Sequence, residues 1–194
     1  MARHVRLNEL LVGVEGLALL RGLYDGSDDD AGRRIAEIRR VLGDDSFAAA
    51  EAMTEVDPRT GYRVWAESYD DGGNPIMALE ESVVTGILEP LSPGRALDAA
   101  CGTGRYARHL ARLGHEVIGV DVTAEMLARA TASVPEARFI EADLREVPVD
   151  DEQFDLVVCG LALAHLEDFA PAVAEFSRVL KPGGRVVISV LHPF

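Results

Sequence analysis

Cysteine is nearly missing: Cys101 and Cys159 are all that the 194 residues contain. This excludes a disulfide framework, and the pair lacks zinc-ligand spacing, so a reducing compartment fits. Long apolar runs are also absent. Stretches such as 161–164, LALA, fall far short of the ~20 residues that a membrane span needs. Near the N-terminus, "LNELLVGVEGLALLR" interrupts its apolar residues with Asn8, Glu9 and Glu15, where a signal peptide would run unbroken. The expectation is a soluble, cytoplasmic protein with no membrane partner. Positive charge is scarce too, with 19 Lys and Arg against 33 Asp and Glu, a formal charge of −14. The basic residues form no clustered run. Phosphate neutralisation needs clustered cations, so no nucleic acid partner is expected, and no anionic membrane surface either. The acidic excess reads as a solubility feature.

The length suits one domain with a small addition and is enough for a full core. Leu7, Leu10, Leu11, Val14, Leu17 and Leu20 fall at helical spacing, after which "YDGSDDDAGRR" breaks the pattern. A second helix carries Ile35, Ile38, Val41 and Leu42 on one face. Ser46 is expected to cap a third, "FAAAEAMTEV", ended by Asp57 and Pro58. These pieces form an N-terminal helical cap over residues 1–60. A further helix is expected over 76–88. The remainder alternates: strands at 95–99, 115–120, 137–141, 154–160 and 185–191, with helices at 104–113, 123–132 and 168–180 between them. Short apolar strands separated by helices predict an α/β fold, a doubly wound, mainly parallel Rossmann-like sheet of five strands within a core at 61–194.

The segment "RALDAACGTGRYARHLARLGHEVIGVD" concentrates the chemistry. Gly102, Gly104 and Ala107 make G-x-G-x-x-A between a strand and a helix, and Asp121 follows 19 residues after Gly102 at the end of the next strand. Glycines let backbone approach a ligand, and an acid at that distance can take both hydroxyls of a ribose. Two adenosine ligands suit such a turn, a dinucleotide and S-adenosylmethionine. Asp98, four residues before Gly102, discriminates between them. A carboxylate there would repel a pyrophosphate at the helix N-terminus, whereas it favours the ammonium and sulfonium of S-adenosylmethionine.

The stretch resembles motif I of the class I S-adenosylmethionine-dependent methyltransferases, in the broad small-molecule group that includes the quinone-biosynthesis and type 11 enzymes. Their D/E-x-G-x-G-x-G falls on Asp98, Ala100, Gly102 and Gly104, with Ala100 departing from the first glycine. Later motifs follow in order. In "VIGVDVTAEML" the resemblance implies Asp121 for the ribose and Val122 and Met126 against the adenine. In "FIEADLRE" it implies Asp143 for the adenine amino group and Leu144 for a backbone contact. "FDLVVCGLALAHL" is similar to the family's fourth-strand motif, which places Cys159 beside the cofactor, and "VLKPGGRVVISVLHP" resembles the turn into its fifth strand. Upstream, "YRVWAESYDDGGNP" resembles a Tyr-Asp element that would lay Tyr69 over the methionine end, where an aromatic face favours a sulfonium.

Each residue also has a plainer reading. Asp98 could be a helix-capping carboxylate, Asp143 could cap its own turn, Tyr69 could simply pack, and both cysteines suit small buried positions. His165 follows the fourth core strand, where an acceptor would meet the methyl group. It can serve as a general base or as a loop-holding hydrogen bonder. His192 carries the same two readings, while His109, His115 and the arginines of 104–113 read as solvated.

The resemblance thus implies a methyltransferase with S-adenosyl-L-methionine as cofactor, no metal, and an oxygen, nitrogen or carbon nucleophile on a small-molecule acceptor. Two other functions stay open: a non-catalytic cofactor-binding or interaction module, and a NAD-dependent oxidoreductase. The resembling family continues beyond "LHPF" through further strands, so this chain is either a fragment or leaves a strand edge that a second copy would cover, which makes a homodimer an expectation.

Overall fold

The computed structural model describes residues 3–48, 50–53, 56–71 and 75–190. Two compact units meet the eye in the chain's own contacts, one up to Val56 and one from Asp57 onwards. In the first, strand β1 (Arg3–Arg6) leads directly into helix α1 (Leu7–Asp25). Helix α2 (Asp28–Leu42) follows after only Gly26 and Ser27. The expected break in the helical pattern is thus confined to Gly26 and Ser27, and the acidic run starts α2. Ser27 accepts from the Asp30 N–H while the Asp30 carboxylate accepts from the Ser27 N–H, so Asp28–Asp30 form the first turn, where negative charge suits the helix dipole.

The third helix is not formed. Residues 45–47 make one short 3-10 turn, and Ala50–Met53 is a strand, β2, paired antiparallel with β1 in the register Arg3↔Met53 to Arg6↔Ala50. Alanine favours helix, but a ladder with a segment some fifty residues earlier in sequence outweighs that weak preference. Asp57 and Pro58 start a helix rather than end one. Helix α3 (Pro58–Trp65) has Asp57 as N-cap, accepting from the Thr60 N–H, and Pro58 in its first turn, where a missing N–H costs nothing.

The second unit continues with α4 (Pro75–Leu88), β3 (Arg95–Ala99), α5 (Arg105–Arg112), β4 (Glu116–Asp121), α6 (Ala124–Ser133), β5 (Arg138–Glu141), β6 (Phe154–Gly160), a 3-10 turn at Leu163–His165, α7 (Ala170–Val179) and β7 (Leu180–Ser189). The five strands are all parallel, in the order β5-β4-β3-β6-β7. Strand alternation divides the core in two. Leu97, Ala99, Ile118, Val120 and Val157 pack with Phe176 and Val179 of α7. Ala96, Val117, Leu156 and Val158 pack with Leu110 of α5 and with Val84 and Leu88 of α4. A sheet apolar on both faces needs helices on both, which is the doubly wound arrangement expected. Chain order reverses direction between β3 and β6, and at such a switch point the loops beyond the carboxyl ends of the strands part to leave a crevice.

His115 corrects its reading as solvated: it is 7% exposed, its Nδ1 accepts from the Gly94 N–H at 3.3 Å, and burial lowers its pKa. Arg105 is likewise not on a wet face, because it pairs with the buried Glu80 at 2.7 Å. His192 lies outside the described residues.

Candidate active site

A cavity of about 370 Å³ opens at the carboxyl ends of β3, β4, β5 and β6, a size suited to a small ligand. Its floor is the glycine turn. Gly102 and Gly104 adopt left-handed φ of 53° and 85°, and Ala100 shares that region at 58°. At Gly104 a Cβ would come within 3.2 Å of the Ala130 Cβ, so this glycine lets α5 start close against α6. Ala100 tolerates its φ at a steric cost that glycine would not have. Ala100→Gly should therefore stabilise the fold by about 1 kcal/mol, less glycine's extra unfolded-state entropy, a rise in Tm of roughly 2 °C. A calorimetric scan checks this; a lower Tm would show that the Ala100 methyl is needed for packing.

Gly104 is also the N-cap of α5 and has no side chain to serve its orphan N–H groups. Asp98 takes over from the preceding strand: its Oδ2 accepts from the Ala107 N–H at 2.7 Å. The carboxyl is 1% exposed, and burial pushes its pKa up to about 7, against the lowering effects of the Ala107 bond and the Arg105 charge. Asp121, at the end of β4, is half-buried. Its Oδ2 accepts from the Gly102 N–H at 2.9 Å and its Oδ1 from the Thr123 N–H at 2.9 Å. One carboxylate thus ties the glycine turn to the start of α6.

Of the residues singled out from sequence, Tyr69, Ala100, Gly102, Asp121, Val122, Met126, Asp143, Leu144 and His165 line the cavity, whereas Asp98, Gly104 and Cys159 do not. Cys159 is fully buried, and burial raises its thiol to about 12. Asp143 accepts from the Arg145 backbone N–H at 2.8 Å and from its guanidinium at 2.6 and 2.8 Å, contacts that lower its pKa. Tyr69 is followed by Asp70, which accepts from the buried Thr103 hydroxyl at 2.8 Å. Burial raises its phenol to about 12.

Sequence reasoning missed the opposite wall. Asp57, Pro58, Arg59 and Tyr62 of the α3 region line the cavity, together with Arg145, Gly160, Leu161 and Ala162. Tyr62 Oη lies 2.9 Å from His165 Nε2, and its ring meets the imidazole edge-on at 5.3 Å. Trp65, the single tryptophan, stacks on Tyr62 at 5.9 Å and meets Tyr69 edge-on at 4.8 Å. The Asp-Pro pair was the available signal, since it marks a helix start when an aromatic follows at helical spacing.

The lining fits a nucleoside carrying a cation better than one carrying phosphates. Val122, Met126 and Leu144 offer an apolar slot, and Asp57, Asp121 and Asp143 bring carboxylates to the same cavity. Both guanidiniums in the lining are engaged, Arg145 with Asp143 and Arg59 with Glu141 at 2.5 Å. A pyrophosphate would find no unpaired cation among these described residues.

Fold and crevice together define an α/β domain of the doubly wound type with a cavity at its switch point. A family model described as a methyltransferase domain matches residues 97–188. The demethylmenaquinone methyltransferase of Chlorobaculum tepidum is 42% identical over 98 residues, 50% of this chain and 40% of that one. A malonyl-[acyl-carrier protein] O-methyltransferase of Yersinia pestis is 33% identical over 132 residues, 65% of this chain and 47% of that one. The solved DhpI–SAH complex has a TM-score of 0.60 and 30% identity, covering 66% of this chain and 65% of that chain. Through this core the chain is similar to the class I S-adenosylmethionine-dependent methyltransferases. It spans less than half the length of these two curated relatives. Nothing in these similarities favours an oxidoreductase.

Proposed function

We propose that this protein transfers a methyl group from S-adenosyl-L-methionine to an oxygen, nitrogen or carbon of a small molecule, with 61–194 as the working core and 1–60 as an N-terminal cap whose last residues, Asp57, Pro58 and Arg59, line the same cavity. The observation that carries this reading is the cavity itself, an apolar slot rimmed by Asp121 and Asp143 over the Gly102 turn. Asp121 would hold the ribose hydroxyls: each of its oxygens accepts one backbone N–H and keeps a lone pair free for a further donor. Val122, Met126 and Leu144 would sandwich the adenine, and Asp143 would face its amino group. Ala100, Gly102 and Gly104 would let backbone approach the amino acid end, with Tyr69 above it and Cys159 behind. Asp98 would supply a compensating charge from beneath α5.

When bound, the cofactor supplies an electrophilic methyl group. The protein's own contribution is to hold the acceptor in line with that group and to exclude water, and effects of this kind can be worth several kcal/mol. His165 would act as general base. Cofactor labelled in its methyl group, incubated with hydroxyl, amine and activated-carbon acceptors, tests the reading. Label in an acceptor that is lost with Asp121→Ala is expected. Tight cofactor binding with no transfer to any acceptor would instead favour the non-catalytic module.

The same reading places the protein in the cytoplasm, in keeping with the lack of any helix among the described residues long and apolar enough to cross a membrane. It also includes a homodimer formed on β7. That strand lies at the sheet edge with Val186 and Ile188 exposed, and such an edge readily pairs. A concentration-independent monomer in sedimentation would remove the dimer from the account.

A further inference from the structure

The opposite wall of the cavity carries chemistry that cofactor binding does not use. Tyr62 stands on α3 and His165 on the 3-10 turn after β6, 103 residues apart, yet their polar atoms are 2.9 Å from each other at the cavity lining. The His165 backbone N–H is already bonded to the Ala162 carbonyl at 3.0 Å, so the turn is held without its side chain. The imidazole ring packs edge-on against Tyr62, which itself stacks on Trp65. Around the pair the lining is apolar, with Leu161, Ala162 and Leu166.

We propose that Tyr62 and His165 form a proton relay on the acceptor side of this cavity, and that the acceptor is an uncharged molecule bearing a weakly acidic hydroxyl, a phenol or an enol. The inference rests on the methyl-transfer reading and names its acceptor class. With the imidazole proton on Nδ1, Nε2 accepts from the Tyr62 O–H. As the acceptor's hydroxyl gives its proton to Tyr62 Oη, the Tyr62 proton passes to Nε2. This leaves an acceptor oxyanion, a neutral Tyr62 and an imidazolium at His165, with charge and protons balanced. Burial first, and the Asp121 charge second, raise the Tyr62 pKa, so the phenol stays protonated and able to pass a proton on.

The same lining argues against a carboxylate acceptor. Both of its guanidiniums are already paired with Glu141 and Asp143, and Asp57, Asp121 and Asp143 would repel a further anion. A formal charge of −14 also disfavours docking of an acidic carrier protein. A planar hydroxyl compound, in contrast, gains stacking on Tyr62 and Tyr69.

The test uses 4-nitrophenol, whose absorbance separates phenol from phenolate, on the protein saturated with S-adenosylhomocysteine. Charged and titratable groups lining the site, Asp57, Arg59, Tyr69, Asp121, Asp143 and Arg145, are common to every sample. The bound phenol should ionise about tenfold more readily than in Tyr62→Phe or His165→Ala, which corresponds to a pH profile moved down by about one unit. Tyr62→Phe keeps the ring on Trp65, so an unchanged Tm shows that the loss is not misfolding. 4-Nitrobenzoate, of the same shape, should bind at least about tenfold more weakly. Equal ionisation in wild type and both variants overturns the relay, and benzoate binding as tight as that of the phenol overturns the acceptor class. Failure of S-adenosylhomocysteine itself to bind would instead strike the methyl-transfer reading and this inference with it.

Discussion

Asp121→Ala should weaken S-adenosylhomocysteine binding by about 100-fold. Two charge-assisted hydrogen bonds to ribose hydroxyls are worth about 3 kcal/mol together, and each 1.4 kcal/mol is a factor of ten. The substitution acts a second way, because Asp121 holds the Gly102 and Thr123 N–H groups at 2.9 Å, and losing both acceptors loosens the turn before any ligand arrives. Asp121→Asn separates the two effects. Its single amide oxygen can serve only one backbone donor well, so an intermediate affinity is expected with a smaller drop in Tm. Wild-type affinity in Asp121→Ala would mean that the adenosine lies elsewhere in the cavity.

The second large effect concerns stability rather than binding. Burial raises the Asp98 carboxyl from its ordinary 3.8 to about 7, so the folded protein keeps a proton that the unfolded chain releases. Below pH 4 both states are protonated and Asp98 costs nothing. Between pH 4 and about 7 only the unfolded chain ionises, so stability falls as pH rises, by a few kcal/mol in all at 1.36 kcal/mol per unit. Above pH 7 both states are ionised and the loss is complete. Asp98→Asn keeps an oxygen for the Ala107 N–H and cannot ionise. It should therefore be more stable than wild type at pH 8 by about 2 kcal/mol and lack the slope between pH 4 and 7. Urea unfolding across that range measures this, and parallel curves for the two proteins would show that Asp98 is not the buried acid responsible. A cationic ligand near Asp98 should draw off its proton, so binding near pH 6.5 should release protons, a release that Asp98→Asn abolishes.

Local patterns revealed the sheet because each core strand is an apolar run bounded by turn residues, and Arg95–Ala99 and Phe154–Gly160 fall where alternation put them. The glycine turn was equally legible, since its left-handed backbone at Gly102 and Gly104 is a local demand. What the sequence hid was pairing at a distance. The ladder of Arg3–Arg6 with Ala50–Met53 overrides an alanine-rich segment's helical preference. The meeting of Tyr62 with His165 depends on α3 lying against the sheet's carboxyl end, which no local period encodes. The charge of Asp98 is legible in the sequence, yet the structure shows it serving first as the acceptor that Gly104, lacking a side chain, cannot provide to α5.

The central claim is that this cavity takes an adenosine joined to a cation and not one joined to a pyrophosphate. Calorimetric titration of the protein with S-adenosylhomocysteine and, in parallel, with NADH tests it most directly. Micromolar binding of S-adenosylhomocysteine with no heat from NADH is the predicted result. Binding of NADH in preference, or of neither compound, would contradict it.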